Sequence, residues 1–193
     1  MEKALVIIAH PDDELIWMGG MLLRHKEDWD STVLCLTRAS DKDRAPKFEK
    51  ACNILGVKGF IYDLDDSTDK PWNEEEVIKI ISRHCKQEYD IVFTHGENGE
   101  YGHPRHKETH RIVNRIIDDK TLKTESFMNF DYSKRENNLQ GFCIPNSTTN
   151  NFIKLKDHEL IMKKETIQNV YGYQEGGFEE KSCNIVESFI KLK

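Results

Sequence analysis

The amino-acid sequence predicts an α/β fold, in which helices cover both faces of a doubly wound, mostly parallel sheet to give three layers. Four short strand-like runs of apolar residues are each followed by a stretch of helical periodicity, the alternation expected of βαβ units. The 193 residues suffice to bury one continuous core, and no repeat, linker or low-complexity tract divides them. We therefore expect a single domain over residues 1–193.

The individual elements follow from apolar periodicity and from helix start and stop signals. Pro46 and Pro104 suit the first turn of a helix, and Gly56 suits a helix end. The predicted strands cover residues 4–9, 32–37, 59–64 and 91–94, and the predicted helices cover residues 13–26, 46–55, 73–86 and 104–118. Farther along, we expect strands over residues 125–132 and 140–144, a polar turn over residues 146–151 and a last helix over residues 156–170.

The charge and cysteine content exclude several classes of protein. With 34 acidic and 28 basic residues the net charge is −6, which argues against a nucleic-acid partner because such partners require a basic surface.

The first apolar run, about six residues long, is too short for a signal peptide or a membrane span, so we expect a cytoplasmic protein. The five cysteines form no C-x-x-C pair and predict neither disulfides nor a thiolate metal site. An oligomer remains possible.

Polar loops follow the predicted strands, at the edge where parallel sheets bind their ligands. The loops read "HPDDE" after the first strand, "TRASDKDR" after the second, "DDSTDKPW" after the third and "HGENGEYGHPRH" after the fourth. Because ligands bind outside the carboxyl ends of parallel strands, we expect these four loops to form one site.

The first group of candidate site residues lies where the first strand turns into a helix. His10 and Asp13 are three residues apart, so one turn of the chain can bring both side chains to a shared metal ion. Asp12 must point elsewhere, which leaves its carboxylate free to accept a proton. A helix cap would explain one aspartate, but it would not explain the histidine or the second carboxylate, whose repulsion requires a nearby cation.

The second group comes from the loop and helix after the fourth strand. His106 and His110 are spaced i, i+4, so either or both could bind zinc; we favour His106 because it lies at the start of the helix, facing the crevice. Thr94, His95 and Glu97 open the same loop and could hydrogen-bond the ligands.

These residues predict a catalytic metal site. His10, Asp13 and His106 supply three N/O ligands, which leaves a fourth position on zinc for water. Zinc lowers the pKa of bound water to about 7, so that Asp12 could act as the base that activates it. His103 and Tyr101 are placed to donate protons to the oxyanion and the leaving nitrogen of an amide.

The two groups together resemble the LmbE/PIG-L family of zinc-dependent N-deacetylases. The similarity rests on "AHPDDE" at Ala9–Glu14, followed by the glycine pair at residues 19–20, and on "GHPRH" at Gly102–His106. It implies a Rossmann-like α/β fold, zinc bound at His10, Asp13 and His106, a base at Asp12 and an electrophilic or acid histidine at His103. It also implies an oxyanion contact for Tyr101 and substrate contacts for Arg44 and Asp66.

The chain departs from the family pattern in two places. Arg105 stands where an aspartate often supports the preceding histidine, so that His103 requires another acceptor to remain protonated. The C-terminal third shares only the faint pattern "YGYQ" at residues 171–174, and we expect substrate choice to reside in that third.

The sequence therefore predicts a zinc-dependent hydrolase that removes an N-acetyl or other N-acyl group from an amino sugar or sugar conjugate, a small-molecule partner. Iron could replace zinc in the cell, because availability as well as affinity decides which metal fills an N/O site. The H-x-E with P-C-x-x-C, H-E-x-x-H and G-x-G-x-x-G motifs of deaminases, zinc proteases and dinucleotide-binding enzymes are absent. The alternative is a catalytically inactive carbohydrate-binding domain that keeps its metal only for shape.

Overall fold

The central element of the computed structural model, which describes residues 1–85, 88–135, 141–146 and 151–193, is a seven-stranded sheet. The strands are β1 (Glu2–Ile8), β2 (Trp29–Thr37), β3 (Lys58–Leu64), β4 (Tyr89–Thr94), β5 (Thr124–Phe130), β6 (Tyr132–Lys134), β7 (Cys143–Pro145), β8 (Asn151–Lys154) and β9 (Val186–Lys191). The helices are α1 (Asp13–Arg24), α2 (Arg44–Leu55), α3 (Glu74–Ser82), α4 (Gly99–Gly102), α5 (Pro104–Asp118), α6 (Asp157–Thr166) and α7 (Phe178–Ser182). A π-helical turn, Ile167–Tyr171, extends α6.

The strand order in the sheet is β3-β2-β1-β4-β5-β9-β8, and β6 pairs with β7 in a separate ribbon. The first five strands of this order are parallel, whereas β9 runs antiparallel to both β5 and β8. The mostly parallel α/β sheet predicted from the sequence is thereby confirmed. Because β1 lies between β2 and β4, the loops that follow these three strands emerge side by side.

Helices pack on both faces of the sheet and complete three layers. Alternate residues of β1 enter different cores, since successive side chains of a strand point to opposite faces. Val6 packs with Trp17 of α1 and Phe48 of α2 in one core. Ile7 packs with α3 and α5 residues in the other core. Within the described residues, no helix is both long and apolar enough to span a lipid bilayer.

The predicted elements and the structure differ mainly after residue 120. The predicted strands over residues 125–132 and 140–144 correspond to β5 and β7, although residue 140 lies outside the described residues. Residue 86, the predicted end of the third helix, and residues 147–150 of the predicted polar turn also lie outside them. Strands β8 and β9 are not among the elements expected from the sequence patterns. In β9 the polar residues Glu187 and Ser188 are fully buried, so the strand does not read as an apolar run.

The buried Glu187 carboxylate lies against a kink in α1. The backbone at Met18 leaves the helical conformation, with φ −148° and ψ 19°. The Glu187 carboxylate accepts hydrogen bonds from the backbone N–H groups of Gly20 at 2.8 Å and Met21 at 2.7 Å. Lys163 Nζ donates to the same carboxylate at 2.7 Å, so the buried charge is paired. The kink therefore depends on side chains more than 140 residues away in sequence.

The glycine pair in α1 serves packing, and only one of the two is tightly constrained. A Cβ on Gly20 would lie 2.9 Å from Leu155 Cγ and closer still to its methyl carbons, whereas a Cβ on Gly19 would lie 3.1 Å from Leu15 Cδ2. We expect Gly20→Ala to lower the free energy of unfolding by about 1–3 kcal/mol through overpacking. Gly19→Ala, the matched control, should change it by less than about 1 kcal/mol because helix propensity offsets the contact. Urea denaturation measures both, and equal stability of the two variants would contradict the packing role.

Candidate active site

The loops after β1, β2, β3 and β4 enclose a cavity of about 350 Å³ at the carboxyl edge of the sheet. Seven residues that the sequence predicts for the site line it: His10, Asp12, Asp13, Arg44, Asp66, Tyr101 and His103. His106, the eighth, is buried beneath them and approaches His10. The cavity is also lined by Tyr173, which lies in the faint "YGYQ" pattern, and by Arg38, Lys134, Phe178 and Glu179, which no sequence pattern marked as site residues.

Three predicted metal ligands, His10, Asp13 and His106, lie close together. His10 Nδ1 is 3.1 Å from His106 Nε2, although the two residues are 96 positions apart in the chain. His106 Nε2 is 3.5 Å from Asp13 Oδ1, and His10 Nδ1 is 3.5 Å from Asp13 Oδ2. Two imidazole nitrogens and a carboxylate, whose two oxygens each approach one of the rings, are donors suited to zinc and to other divalent metals.

Each of the two imidazoles is held by a carboxylate on its other nitrogen. Glu100 Oε2 lies 2.5 Å from His106 Nδ1, and Asp66 Oδ1 lies 2.7 Å from His10 Nε2. This arrangement fixes the tautomer and directs the free nitrogens toward the shared point, as in metal sites. The residues therefore fit a metal ion. Glu100 is fully buried with an unusual φ of 57°, and the only sequence signal for it is its place in the polar loop before Tyr101.

His95 lies behind the ligand cluster and stacks on His106 with a ring-centroid distance of 3.9 Å. Its Nε2 accepts from the backbone N–H of Ala9 at 3.0 Å, and its Nδ1 lies 3.0 Å from Glu100 Oε2. Its Nε2 is also 3.4 Å from Asp13 Oδ2. Burial opposes the charge of Asp13, but the neighbouring imidazoles prevail and hold the pKa of that carboxyl well below its usual range.

The other candidates in this loop lie away from the ligand cluster. His110 Nδ1 is 2.9 Å from the carbonyl oxygen of His95, and no group of potential metal ligands among the described residues includes His110. Thr94 Oγ1 donates to the Ile7 carbonyl oxygen, and Glu97 lines a separate surface cavity. The geometry thus favours His106 over His110. Among the described residues, two groups lie close enough to share one ion, His10 with His103 and His106, and Asp13 with His95 and His106, so that His106 belongs to both.

Asp12, the predicted base, belongs to neither group of potential metal ligands among the described residues. Its Oδ2 accepts a hydrogen bond from the Tyr173 hydroxyl and lies 3.2 Å from Arg44 Nη1, which also donates to Tyr173. Burial and the charge of Asp13 raise the pKa of Asp12 to about 7, against the opposing effect of the Tyr173 hydrogen bond. Arg44 thus contacts the expected base, and Asp66 has one oxygen on His10 and the other on Arg38.

His103 caps helix α5. Its Nδ1 accepts a hydrogen bond from the backbone N–H of Arg105 at 3.2 Å. Burial and the neighbouring imidazoles of His106 and His10 lower the pKa of His103 to about 4. The ring is therefore neutral near pH 7 with its proton on Nε2, which suits it to donate a hydrogen bond. The Tyr101 ring lies 5.6 Å from it, and burial raises the pKa of the phenol above its usual range.

Arg105 does not line the cavity; it fastens the loop after β3. Its guanidinium donates to the carbonyl oxygens of Ser67 and Lys70, pairs with Glu108, and lies 4.6 Å from the centre of the Trp72 ring. Arg105 is 1% exposed. Arg105 thus stands where a carboxylate partner of His103 was expected. Instead of contacting His103 with its side chain, it holds the loop that carries Asp66, and we call this set of contacts the Arg105 clamp.

Removal of this clamp should destabilise the protein. We expect Arg105→Met to lower the free energy of unfolding by about 2–4 kcal/mol, because the buried guanidinium no longer donates to the Ser67 and Lys70 carbonyl groups or pairs with Glu108. Arg111→Met is the matched control on the same helix: Arg111 is 55% exposed and pairs with Glu74, so the loss should be below about 0.5 kcal/mol. Equal effects of the two substitutions in urea denaturation would refute the clamp.

A comparison of the sequence with protein families identifies the group to which this site belongs. A family model described as GlcNAc-PI de-N-acetylase, PIG-L, matches residues 5–117. The chain belongs to the PIG-L family. The matched part of the PIG-L domain runs from β1 into α5 and contains the whole cluster of His10, Asp13 and His106. Tyr173 and Phe178, which line the cavity, lie beyond it.

Individual relatives of this PIG-L chain include known deacetylases. The 1D-myo-inositol 2-acetamido-2-deoxy-alpha-D-glucopyranoside deacetylase of Corynebacterium diphtheriae is 27% identical over 157 residues, covering 61% of this chain and 53% of the relative. The chain spans about half the length of the curated relatives it matches.

Solved structures show how widely this fold is used. The N,N'-diacetylchitobiose deacetylase of Pyrococcus horikoshii superposes with a TM-score of 0.68 at 17% identity, over 99% of this chain and 84% of that one. GalB, the 4-carboxy-2-hydroxymuconate hydratase of Pseudomonas putida, superposes with a TM-score of 0.73 at 16% identity, over 100% and 97%. At such identities the likeness establishes the fold, and the chemistry must be argued from the site.

Proposed function

We propose that this protein is a metal-dependent hydrolase that removes an N-acetyl group from an amino sugar or sugar conjugate, releasing acetate and a free amine. The observation that carries the proposal is the 3.1 Å separation of His10 Nδ1 and His106 Nε2, with Asp13 beside both. Membership of the PIG-L family and the known deacetylases among its relatives support the choice of an amide substrate.

In this proposal His10, Asp13 and His106 hold the metal, for which zinc is the first candidate and iron the second. When bound, the ion would acidify a water molecule and polarise the acetamide carbonyl. Its ligands are prepared for it, because Glu100 and Asp66 already orient the two imidazoles.

The chain's own residues divide the proton transfers. Asp12 takes a proton from the attacking water as the new C–O bond forms, and its raised pKa suits a base that works near neutral pH. His103 Nε2–H and the Tyr101 hydroxyl donate to the carbonyl oxygen as it gains negative charge. When the C–N bond breaks, Asp12 returns its proton to the leaving nitrogen, so that a neutral amine departs.

The proposal also assigns places for the substrate. Arg38, Lys134 and Glu179 offer polar groups around the cavity, and Phe178 offers an apolar surface on which a sugar ring could pack. Arg44 and Asp66 are predicted to contact the substrate, and both line this cavity. Several of these groups come from the C-terminal third, where we expect substrate choice to reside.

Acetate release from N-acetylglucosamine conjugates tests the function. We expect protein purified without added metal to carry about one divalent ion per chain, and to lose activity on chelation and regain it with zinc. Asp12→Ala is the inactive control. If the metal-loaded protein binds such sugars but releases no acetate from any of them, the alternative of an inactive carbohydrate-binding domain replaces this proposal.

A further inference from the structure

Two adjacent carboxylates in the first loop face different partners because of an unusual backbone conformation. Asp12 has φ 116° and ψ −26°, a left-handed conformation that a residue with a side chain rarely adopts. Asp13 accepts hydrogen bonds from His10 N and Trp17 Nε1, each at 2.8 Å. The Asp12 side chain instead meets Tyr173 and Arg44. Such strain costs about 1–3 kcal/mol and persists only where the surroundings enforce it.

Glu14 helps to hold Asp12 in this backbone conformation. It is fully buried, and its Oε2 accepts a hydrogen bond from the backbone N–H of Asp12 at 3.0 Å. Its Oε1 accepts a hydrogen bond from the Tyr171 hydroxyl at 2.7 Å. Both oxygens are therefore engaged, one with the strained residue and the other with a side chain 157 positions away. The proposed chemistry assigns no step to Glu14 or Tyr171.

The segment that carries Tyr171 is itself shaped for this contact. Tyr171 ends the π-helical turn, and Gly172 follows with φ 84°, a conformation that favours glycine. Lys47 Nζ donates to the Tyr171 carbonyl oxygen at 2.9 Å and ties the segment to α2. Beyond the glycine, Tyr173 reaches the Asp12 carboxylate. One short segment thus contacts Asp12 directly and supports Glu14.

We propose that Glu14, braced by Tyr171, is a positioning residue that keeps Asp12 in the left-handed conformation needed for its work as a base. This inference rests on the proposed function. Without the Glu14 carboxyl, the Asp12 N–H loses the acceptor that it has among the described residues, and the peptide can relax to an ordinary φ. The Asp12 carboxylate then leaves its position beside the metal ligands, although none of the ligands has changed.

Three substitutions separate positioning from a general loss of structure. For Glu14→Ala we expect kcat to fall about 100-fold, as for a small misplacement of a reacting group, with KM within about threefold of wild type and the bound metal unchanged. Glu14→Gln should stay within about threefold in kcat, because its amide oxygen accepts from Asp12 N–H and its NH₂ can donate to Tyr171. Tyr171→Phe should fall about tenfold in kcat.

Tyr89→Phe is the matched control for the tyrosine substitution. Tyr89 is buried at the start of β4, away from the cavity, and its hydroxyl donates to the His84 carbonyl oxygen. We therefore expect kcat not to change. If Glu14→Ala retains kcat within threefold, or if Glu14→Gln is as slow as Glu14→Ala, the positioning role is overturned. Should Glu14→Ala fail to fold, Tyr171→Phe decides: wild-type kcat in that variant refutes the proposal.

A crystal structure of a Glu14 variant tests the inference independently of activity. We expect Asp12 to leave the left-handed region in Glu14→Ala and to remain there in Glu14→Gln; an unchanged Asp12 φ in Glu14→Ala overturns the proposal. If wild-type protein releases no acetate, the proposed hydrolase function fails, and the two structures still decide whether Glu14 positions Asp12.

Discussion

Replacement of Asp12 by asparagine is expected to slow acetate release by about a thousandfold, within the range that a general base contributes. Asparagine keeps the size of the side chain and can still bond Tyr173, but its amide cannot take a proton from water. The metal should remain at about one ion per chain, since Asp12 is not among the proposed ligands. Steady-state kinetics and elemental analysis of the same preparation measure both quantities.

Asp43→Asn provides the matched control for this substitution. Asp43 precedes Arg44 and pairs with Lys47, and its side chain is 67% exposed, so its loss should leave kcat unchanged. A fall of less than tenfold for Asp12→Asn would show that another group acts as the base. Loss of the metal from Asp12→Asn would instead show that this carboxylate is a ligand.

The second large effect is expected for His106→Ala. Removal of one of three protein ligands should reduce the bound metal to less than about a tenth of an ion per chain and abolish measurable acetate release. The substitution also leaves the Glu100 carboxylate without its closest imidazole, so some loss of stability should accompany it. Elemental analysis after dialysis, with thermal unfolding of the same sample, separates metal loss from unfolding.

His110→Ala is the matched control, because His110 lies one turn farther along α5 and could also have been a ligand by its spacing. It should retain the metal and most of the activity, since the His110 ring is hydrogen-bonded to the carbonyl oxygen of His95 and does not join the predicted metal ligands. Metal loss from His110→Ala together with retention by His106→Ala would reverse the assignment of the ligands.

The fold of this protein does not by itself indicate which reaction it catalyses. A hydratase and a deacetylase both superpose on the whole chain at similar TM-scores, so the sheet and its helices do not select the reaction. The site is more specific. His10, Asp13 and His106 lie close together, and two carboxylates, the buried Glu100 and the partly exposed Asp66, orient the imidazoles, which a parallel sheet alone would not require.

Sequence patterns were informative wherever neighbouring residues decide the structure. The i, i+3 spacing of His10 and Asp13 depends on one turn of the chain, and the polar loops after four strands follow from the topology of a parallel sheet. The antiparallel strand β9 gave no such signal, because Glu187 is buried there against Lys163 and the backbone of α1. The alternation of apolar and polar residues is lost in β9 because its polar residues pair with groups from distant segments of the chain.

By itself, the sequence determined the α/β class, the edge of the sheet that carries the cavity and the loops that supply the predicted metal ligands. Only the tertiary structure decided that Glu100 orients His106, that Arg105 clamps the loop of Asp66, and that Tyr173 reaches Asp12. Local periodicity reports which face of an element is buried. Contacts between distant segments depend instead on strand order and on the path of each loop, and the pairing of buried polar groups is settled only when those segments pack.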